Sequence, residues 1–271
     1  MVDHPFLAGP FPLAFAHRGG TESAPENTLR AFEAAVGLGY RHLETDVHLT
    51  ADGVLVAFHD PALDRVTDRS GLIAELTFAE VRAARIGGTE PVPTFAELLT
   101  TFPDARFNID PKADASVVAL AAALRRHDAV DRVCIGAFSD DRLRRLRDLF
   151  GRALCTSAGP RETAALVAAA RVPQVARLAR RPAYDCLQVP VRHTVRGRTI
   201  EVVTPAFVRL AHERGVQVHV WTIDDPAEMH RLLDLGVDGL MTDRPSVLRE
   251  VLLERGAWPA DRAGPDSPGR A

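Results

Sequence analysis

The segment RVCIGAFSDDRLRRLRDLFGRALCTSAGPRETAALVAAAR (residues 132–171) contains one pattern twice: a short apolar run followed by a longer amphipathic run. The short runs, RVCIGAF and RALCTSA, are typical of buried strands. The long run after the first begins at Ser139, a candidate helix N-cap, and spaces its leucines as a helix does. Near-continuously apolar strands that alternate with helices indicate a parallel sheet that is covered on both faces.

The same alternation extends in both directions along the chain. Eight strand–helix units can be counted, and their strand runs are LAFAH, RHLETDVHL, ARFNIDP, RVCIGAF, RALCTSA, DCLQVPV, VQVHVWTI and DGLMT. Eight units in about 250 residues favour closure into a (β/α)8 TIM barrel. A doubly wound open sheet is the alternative, but no GxGxxG motif follows the first strand run.

Residues 60–93 interrupt this rhythm after the second strand run. They include a short predicted helix with Thr77 as its N-cap and Glu80 as its capping-box partner, and then an exit rich in Gly and Pro. We predict an insertion on the loop side of the barrel, where active-site lids are found. We expect one domain over residues 1–255, including the insertion, and a disordered tail over 256–271, which is rich in Pro, Gly, Ala and charge.

Composition excludes several classes of protein. The 33 basic and 36 acidic residues give a formal net charge of -3, which offers no electrostatic footprint for nucleic acid. No segment approaches about 18 consecutive apolar residues and no signal-peptide pattern begins the chain, so we expect no membrane insertion and a cytoplasmic location. The three cysteines (Cys134, Cys155 and Cys186) share no CxxC spacing, which suggests neither a disulfide framework nor a zinc site. The sequence does not indicate an oligomeric state.

Polar residues end the strand runs. In a TIM barrel the C-terminal ends of the strands form one rim, and the chemistry of such proteins is found there. The candidates for this rim are His17, Arg18, Glu44, Asp46, His59, Asp110, Lys112, Gln188, Trp221 and Asp243.

Glu44 and Asp46 are two apart in a strand, so both side chains point to the same face. Two inward carboxylates repel each other and are costly to bury without a cation. A hard divalent ion with oxygen ligands, Mg²⁺ or Ca²⁺, would relieve that cost, and Asp110 on the next strand is the natural third ligand. The alternative is a pair of solvated carboxylates on an exposed strand edge.

The two histidines and the cations allow both functional and structural interpretations. His17 and His59 suit general acid or base catalysis, although a histidine that ends a buried strand is often a packing residue. Arg18 can bind a phosphate through two nitrogens. Lys112 is the only lysine in the chain and follows Asp110 by two residues, so it either serves a carboxylate or phosphate or is a chance survivor of the bias towards arginine. Trp221 either packs in the core or stacks on a substrate.

The tripeptide ENT at residues 26–28 opens the first helix. Its simplest interpretation is an N-terminal cap. A second role, which is compatible with the first, is to shape the loop over His17.

Several motifs together resemble the glycerophosphodiester phosphodiesterase family. They are AHRGGTESAPENTLRAF, LETDVHLTADGVLVAFHDPALDRVTDRSG, NIDPK, VWTID and DGLMTDRP, and the match runs over nearly the whole chain. The resemblance implies a (β/α)8 barrel of the phosphatidylinositol-phospholipase-C-like type with a small insertion after the second strand. The third acid is often glutamate in that family and is Asp110 here.

The resemblance also implies roles for individual residues. His17 and His59 correspond to a catalytic acid/base pair, and Arg18 to a phosphate ligand. The implied metal ligands are Glu44, Asp46 and Asp110. The implied substrate-binding residues, besides Arg18, are Lys112 and Trp221.

The implied function is metal-dependent hydrolysis of a small-molecule glycerophosphodiester to glycerol 3-phosphate and an alcohol. One histidine would take a proton from the attacking hydroxyl, which is either water or the neighbouring glycerol hydroxyl, and the other would protonate the leaving alcohol. The sequence does not decide which histidine does which.

Three other functions compete with this one. A related enzyme on the same barrel would act on lysophospholipids, but the insertion segment ALDRVTDRSG is polar rather than apolar. A metal-dependent amidohydrolase would need an HxH pair at the end of the first strand, where AHRGG stands. A catalytically dead barrel that serves as a binding module would have lost a histidine or one of the Glu44–Asp46 pair, and all are present.

Overall fold

The computed structural model describes residues 4–9, 12–172, 182–195 and 197–259. Each predicted strand run contains a strand, and two further hairpins occur. The strands of the described residues are β1 (Leu13–Ala16), β2 (His42–Leu49), β3 (Leu55–Ala57), β4 (Arg85–Ile86), β5 (Glu90–Pro91), β6 (Arg106–Pro111), β7 (Val133–Ile135), β8 (Cys155–Thr156), β9 (Cys186–Pro190), β10 (Arg192–Val195), β11 (Arg198–Glu201), β12 (Gln217–Trp221) and β13 (Gly239–Thr242).

Eight of these strands are parallel neighbours around a ring, in the order β1, β2, β6, β7, β8, β9, β12 and β13. Every step of the ring except that from β8 to β9 is a ladder of at least two residue pairs. The step from β8 to β9 consists of one parallel bridge, between Ser157 and Cys186. The predicted (β/α)8 barrel is confirmed, and its backbone ladder is thinnest at this seam.

Helices surround the barrel. Those of the described residues are α1 (Leu29–Gly37), α2 (Phe78–Ala83), α3 (Phe95–Thr101), α4 (Ser116–Arg126), α5 (Asp140–Phe150), α6 (Pro160–Arg171), α7 (Pro205–Glu213), α8 (Pro226–Asp234) and α9 (Pro245–Glu254).

Local sequence sets where several of the helices begin. The Ser139 side chain accepts a hydrogen bond from the Arg142 backbone N–H, which confirms it as the cap of α5. The helix α3 was not predicted from the sequence. It begins at a capping box formed by Thr94 and Glu97. Such a box satisfies two backbone donors that the first turn of a helix leaves unpaired.

The insertion after β2 has a small core of its own. Strand β3 turns back and pairs antiparallel with the end of β2, and β4 pairs with β5. The predicted capping box of Thr77 and Glu80 begins α2. The buried apolar side chains of this region pack on one another as a separate cluster: Val56, Phe58, Leu63, Ile73, Val81, Ala84, Ile86 and Val92. The insertion is therefore a packed arm beside the end of β2.

The N-terminal segment closes the opposite end of the barrel. Phe6 is fully buried and its ring lies 5.2 Å from that of His42, while its carbonyl accepts a hydrogen bond from His42 Nε2 at 2.9 Å. Burial of a phenylalanine contributes about 1.5–3 kcal/mol. Phe6 also joins the cluster that fills the barrel, which holds Leu7, Leu13, Phe15, Cys134, Cys155, Cys186 and Met241. This end is therefore apolar and packed.

The C-terminal end of the chain also contributes to packing. Trp258 is buried and its ring lies 5.2 Å from that of Tyr40. The packed part of the chain thus extends past residue 255, the predicted end of the domain. The remainder of the predicted tail, residues 260–271, lies outside the described residues. Among the helices that the structure describes, none is long and apolar enough to cross a membrane.

Candidate active site

The turn after β1 brings two of the predicted residues to the rim. His17 and Arg18 directly follow the strand, and Arg18 has a left-handed backbone with φ 53°. The next residue, Gly19, also has a positive φ, and a Cβ there would lie 2.9 Å from the backbone of Ala31 and Phe32. Only glycine fits so tight a turn against α1. Non-glycine residues in the left-handed region are uncommon and often mark functional sites.

His17 is held by two carboxylates. Its Nδ1 lies 2.7 Å from Asp243 Oδ1, and its Nε2 lies 3.7 Å from Glu44 Oε2. Burial lowers the pKa of His17, but the charges of Glu44 and Asp243 outweigh burial and raise the pKa above its ordinary value. The pair joins the ends of the first and last barrel strands, β1 and β13. Asp243 was among the rim candidates but had been given no role.

His59 has a similar partner from its own segment. Its Nδ1 lies 2.6 Å from Oδ1 of the next residue, Asp60. Asp60 also accepts hydrogen bonds from Arg65, which hold the pKa of the Asp60 carboxyl at about 2. Asp60 therefore stays ionised at neutral pH and can accept a hydrogen bond from His59 Nδ1.

Glu26 links the two histidine regions. Its carboxylate accepts hydrogen bonds from Arg18 Nη1 at 2.9 Å and from Arg65 Nη2 at 2.7 Å. The ENT tripeptide thus does more than begin a helix. Thr28 is the N-cap of α1, whereas Glu26 ties the turn after β1 to the insertion. This supports the second of the two roles considered from the sequence.

The three predicted metal ligands are buried carboxylates on neighbouring strands. Glu44, Asp46 and Asp110 are all buried, and the register places Asp46 directly beside Asp110. Burial and the neighbouring Asp46 raise the pKa of Glu44 to about 7. Burial also raises the pKa of Asp110, although Lys112 lowers it in part. The alternative of solvated carboxylates on an exposed edge is therefore wrong.

Lys112 lies among these acids. Its Nζ is 2.7 Å from Asp46 Oδ1 and 2.8 Å from Asp110 Oδ2. Pro111 ends β6 without a break, because the next backbone donor, that of Lys112, bonds to the Val47 carbonyl at 3.1 Å. The lysine thus points to the same side as Asp110, as its spacing predicted. Its direct contacts are to carboxylates.

Asn27 is a site residue whose contacts the sequence did not indicate. It is buried and has a left-handed backbone with φ 56°. Its Oδ1 accepts a hydrogen bond from Thr45 at 2.8 Å, and its Nδ2 donates to Asp46 Oδ2 at 3.4 Å. The one available signal was compositional, since only Asn27 and Asn108 are asparagine in this chain.

The two remaining rim candidates are Trp221 on β12 and Gln188 on β9. Trp221 ends β12, packs partly on the cluster inside the barrel, and meets the exposed ring of Phe138 edge-on at 5.8 Å. Trp221 thus belongs partly to the barrel core and partly to the wall of the barrel mouth. Gln188 donates a hydrogen bond to Asn108 at 2.7 Å, which is a contact within the barrel.

The arrangement can serve phosphate chemistry. Two imidazoles with fixed Nδ1 partners lie on a rim that also carries three buried carboxylates, a guanidinium and an ammonium. Comparison with known proteins points the same way. The model of the glycerophosphoryl diester phosphodiesterase family matches residues 17–247. The chain belongs to this family. It is therefore a phosphoric diester hydrolase.

Individual relatives support the membership. The chain is 42% identical to a protein named "probable glycerophosphodiester phosphodiesterase 2" from Mycobacterium tuberculosis, over 91% of this chain and 92% of that protein. It is 28% identical to the glycerophosphodiester phosphodiesterase of Caldanaerobacter subterraneus subsp. tengcongensis, over 90% and 99% of the two chains. A crystal structure of a Silicibacter pomeroyi protein described under the same family name superposes with a TM-score of 0.77 at 25% identity, over 95% of this chain and 99% of that one.

Proposed function

We propose that this phosphodiesterase hydrolyses glycerophosphodiesters to glycerol 3-phosphate and an alcohol, with a divalent metal ion and with His17 and His59 as its proton-transfer pair. The observation that carries the proposal is the matched support of the two imidazoles. Each Nδ1 contacts an aspartate, at 2.7 Å for His17 and 2.6 Å for His59. Such a contact fixes the tautomer and leaves Nε2 to exchange a proton with the substrate.

The carboxylate cluster fits a hard divalent ion. The three acids are buried with Arg18 and Lys112 as nearby cations, and Asp110 Oδ1 is a buried oxygen with no hydrogen-bond partner. Carboxylate oxygens are the ligands that Mg²⁺ and Ca²⁺ prefer. We propose that Glu44, Asp46 and Asp110 hold the ion. Bound there, it would neutralise phosphodiester oxygens and stabilise the charge that develops during the reaction.

The other residues are assigned from their positions. We propose that His17, which lies beside Glu44, takes the proton of the attacking hydroxyl. His59, whose Nδ1 contacts Asp60, gives a proton to the leaving alcohol. Arg18 binds the phosphate. Lys112 maintains the spacing of Asp46 and Asp110 and adds positive charge near the phosphate, and Trp221 forms one wall of the mouth.

The test is a hydrolysis assay on purified protein with glycerophosphocholine, glycerophosphoethanolamine and lysophosphatidylcholine. It should be run in EDTA and then with added Mg²⁺, Ca²⁺ or Mn²⁺. We expect release of glycerol 3-phosphate from the first two substrates, loss of activity in EDTA, and recovery with one of the ions. A preference for lysophosphatidylcholine would contradict the substrate assignment, and full activity in EDTA would contradict the metal.

Two variants test the proposed ligands directly. Glu44→Gln and Asp46→Asn each remove a charge while keeping the shape of the side chain. Both should abolish metal-dependent activity and weaken metal binding in calorimetry, with a melting temperature near that of the parent protein. Full activity in either variant would remove that residue from the site.

A further inference from the structure

Three cysteines meet inside the barrel, on three neighbouring strands. Cys134, Cys155 and Cys186 lie on β7, β8 and β9 and are the only cysteines in the chain. Cys134 is the register partner of Cys155, and Cys186 forms the bridge to Ser157 that closes the ring. All three are buried free thiols. Their sulfur atoms all lie within 4.8 Å of one another, and those of Cys134 and Cys186 are 3.7 Å apart.

A buried histidine, His219, lies on β12, which pairs with β9, the strand that carries Cys186. Gln217 Nε2 donates to the Leu7 carbonyl at 3.3 Å, which leaves Gln217 Oε1 as an acceptor 3.0 Å from His219 Nε2. His219 Nε2 must therefore carry the proton, and Nδ1 has a free lone pair. His219 is fully buried, and its Nδ1 has no hydrogen-bond partner. A ring held through its other nitrogen in this way is the usual arrangement of a metal-binding histidine.

His219 also influences Cys186. Burial raises the pKa of Cys186, but its interactions with Cys134, Cys155 and His219 outweigh burial and hold that pKa well below its ordinary value. Burial raises the pKa of Cys134 and Cys155. The thiolate is the form of cysteine that binds metals.

We propose that Cys134, Cys155, Cys186 and His219 form a second metal site, of the Cys3His type, for a soft divalent ion such as Zn²⁺. Tetrahedral zinc holds its sulfur ligands at about 2.3 Å, which puts two sulfurs roughly 3.8 Å apart. The sulfur of Cys134 is already 3.7 Å from that of Cys186. The other sulfur–sulfur spacings lie under 4.8 Å, so the three thiols need only small side-chain shifts to share one ion.

The position of the site gives it a structural role. Cys155 stands on one side of the β8–β9 seam and Cys186 on the other, and a single backbone bridge joins these strands. An ion bound by both would hold the barrel closed where its ladder is thinnest. Each thiol that becomes a ligand releases its proton. Sulfur ligands favour Zn²⁺ over Mg²⁺ or Ca²⁺, so the site is chemically distinct from the carboxylates.

The experiment must load the ion during folding, because the thiols are fully enclosed. The protein is unfolded in denaturant with EDTA and reductant, refolded with or without Zn²⁺, passed over a desalting column, and analysed for bound zinc. We expect about one tightly held Zn²⁺ per chain. Cys155→Ser should retain less than about a tenth of that amount, because loss of one ligand weakens binding steeply.

Two control variants make the result specific. Thr156→Ser changes the neighbouring buried residue on β8 and keeps its hydroxyl, so it should retain zinc. Asp46→Asn damages the proposed carboxylate site and should lose hydrolysis while it retains zinc. Failure of the proposed function and failure of the thiol site are therefore separable. Zinc that is bound equally well by Cys155→Ser would overturn the thiol site.

A spectroscopic arm decides the matter if Cys155→Ser does not refold. Wild-type protein refolded with Co²⁺ in place of Zn²⁺ should show the intense near-ultraviolet absorption of thiolate-to-cobalt charge transfer, and its melting temperature should exceed that of metal-free protein. Refolded wild type that binds neither ion, with three thiols still free to react under denaturing conditions, would overturn the proposal.

Discussion

The two histidine–aspartate pairs have similar hydrogen bonds but different supports. His17 meets Asp243, 226 residues away in the chain, because the closing of the barrel brings β1 beside β13. His59 meets the adjacent Asp60 on the insertion arm, and Arg65 and Glu26 tie that arm to the barrel. The His17–Asp243 pair (the barrel pair) depends on closure of the barrel. The His59–Asp60 pair (the arm pair) depends on adjacent residues and on one ionic link to the barrel. Substitutions can therefore alter the two pairs separately.

The largest effects should follow removal of the histidines. His17→Ala and His59→Ala should each lower kcat on glycerophosphocholine by roughly 10² to 10⁴, the usual range for a lost acid or base. On a p-nitrophenyl phosphodiester, whose leaving group needs no proton, His59→Ala should recover most of its activity and His17→Ala should not. The matched control is His127→Ala, at a half-buried histidine that caps the C-terminal end of α4. Equal losses on both substrates would remove His59 from the acid role.

The next largest effects on kcat should follow substitution of Asp243 and Asp60, the aspartates that contact the two histidines. Asp243→Asn and Asp60→Asn keep an acceptor for each imidazole but remove its charge, so about 1.5–3 kcal/mol of charge-assisted hydrogen bonding is lost, or roughly 10- to 150-fold in kcat. Asp60→Asn should affect poor leaving groups more than good ones, whereas Asp243→Asn should affect both alike. Identical kinetic profiles of the two variants would mean that the pairs do not have separate roles.

A smaller effect is expected at Lys112, whose ammonium contacts Asp46 and Asp110. Lys112→Arg preserves charge, but the longer planar guanidinium would pull Asp110 into a bidentate contact or crowd the phosphate. We expect a loss of at least about tenfold in kcat/KM, equivalent to about 1.4 kcal/mol, and a larger loss for Lys112→Ala. The melting temperature of Lys112→Arg should stay near that of the parent protein. A fully active arginine variant would show that the lysine is a compositional accident.

The smallest effect is expected at Arg65, which contacts Asp60 directly and reaches the turn after β1 only through Glu26. Its side chain is partly exposed, so the loss of its ion pairs in Arg65→Ala should cost up to about 1 kcal/mol, or about fivefold in kcat. The loss should appear on glycerophosphocholine and vanish on the p-nitrophenyl substrate. Arg69→Ala, an exposed change in the same insertion, is the control. A loss that is equal on both substrates would place Arg65 in support of the barrel pair as well.

The sequence by itself determined the features that depend on local spacing. Apolar runs that alternate with amphipathic ones predicted the (β/α)8 barrel, because a strand buried on both faces and a helix with one apolar side have different periods. The two-residue spacing of Glu44 and Asp46 predicted that they share a face. The family motifs lie in contiguous segments, so the family could be identified before any contact was known.

Only the tertiary structure decided which distant residues meet. The cysteines have no CxxC spacing in the chain, so the sequence did not suggest a zinc site. Three neighbouring strands nevertheless place them side by side inside the barrel. The contact of His17 with Asp243 exists because the ring closes, and Lys112 reaches Asp46 because β6 pairs with β2 in one register. Strand order, register and closure are set by the packing of the whole chain, and no local stretch of sequence encodes them.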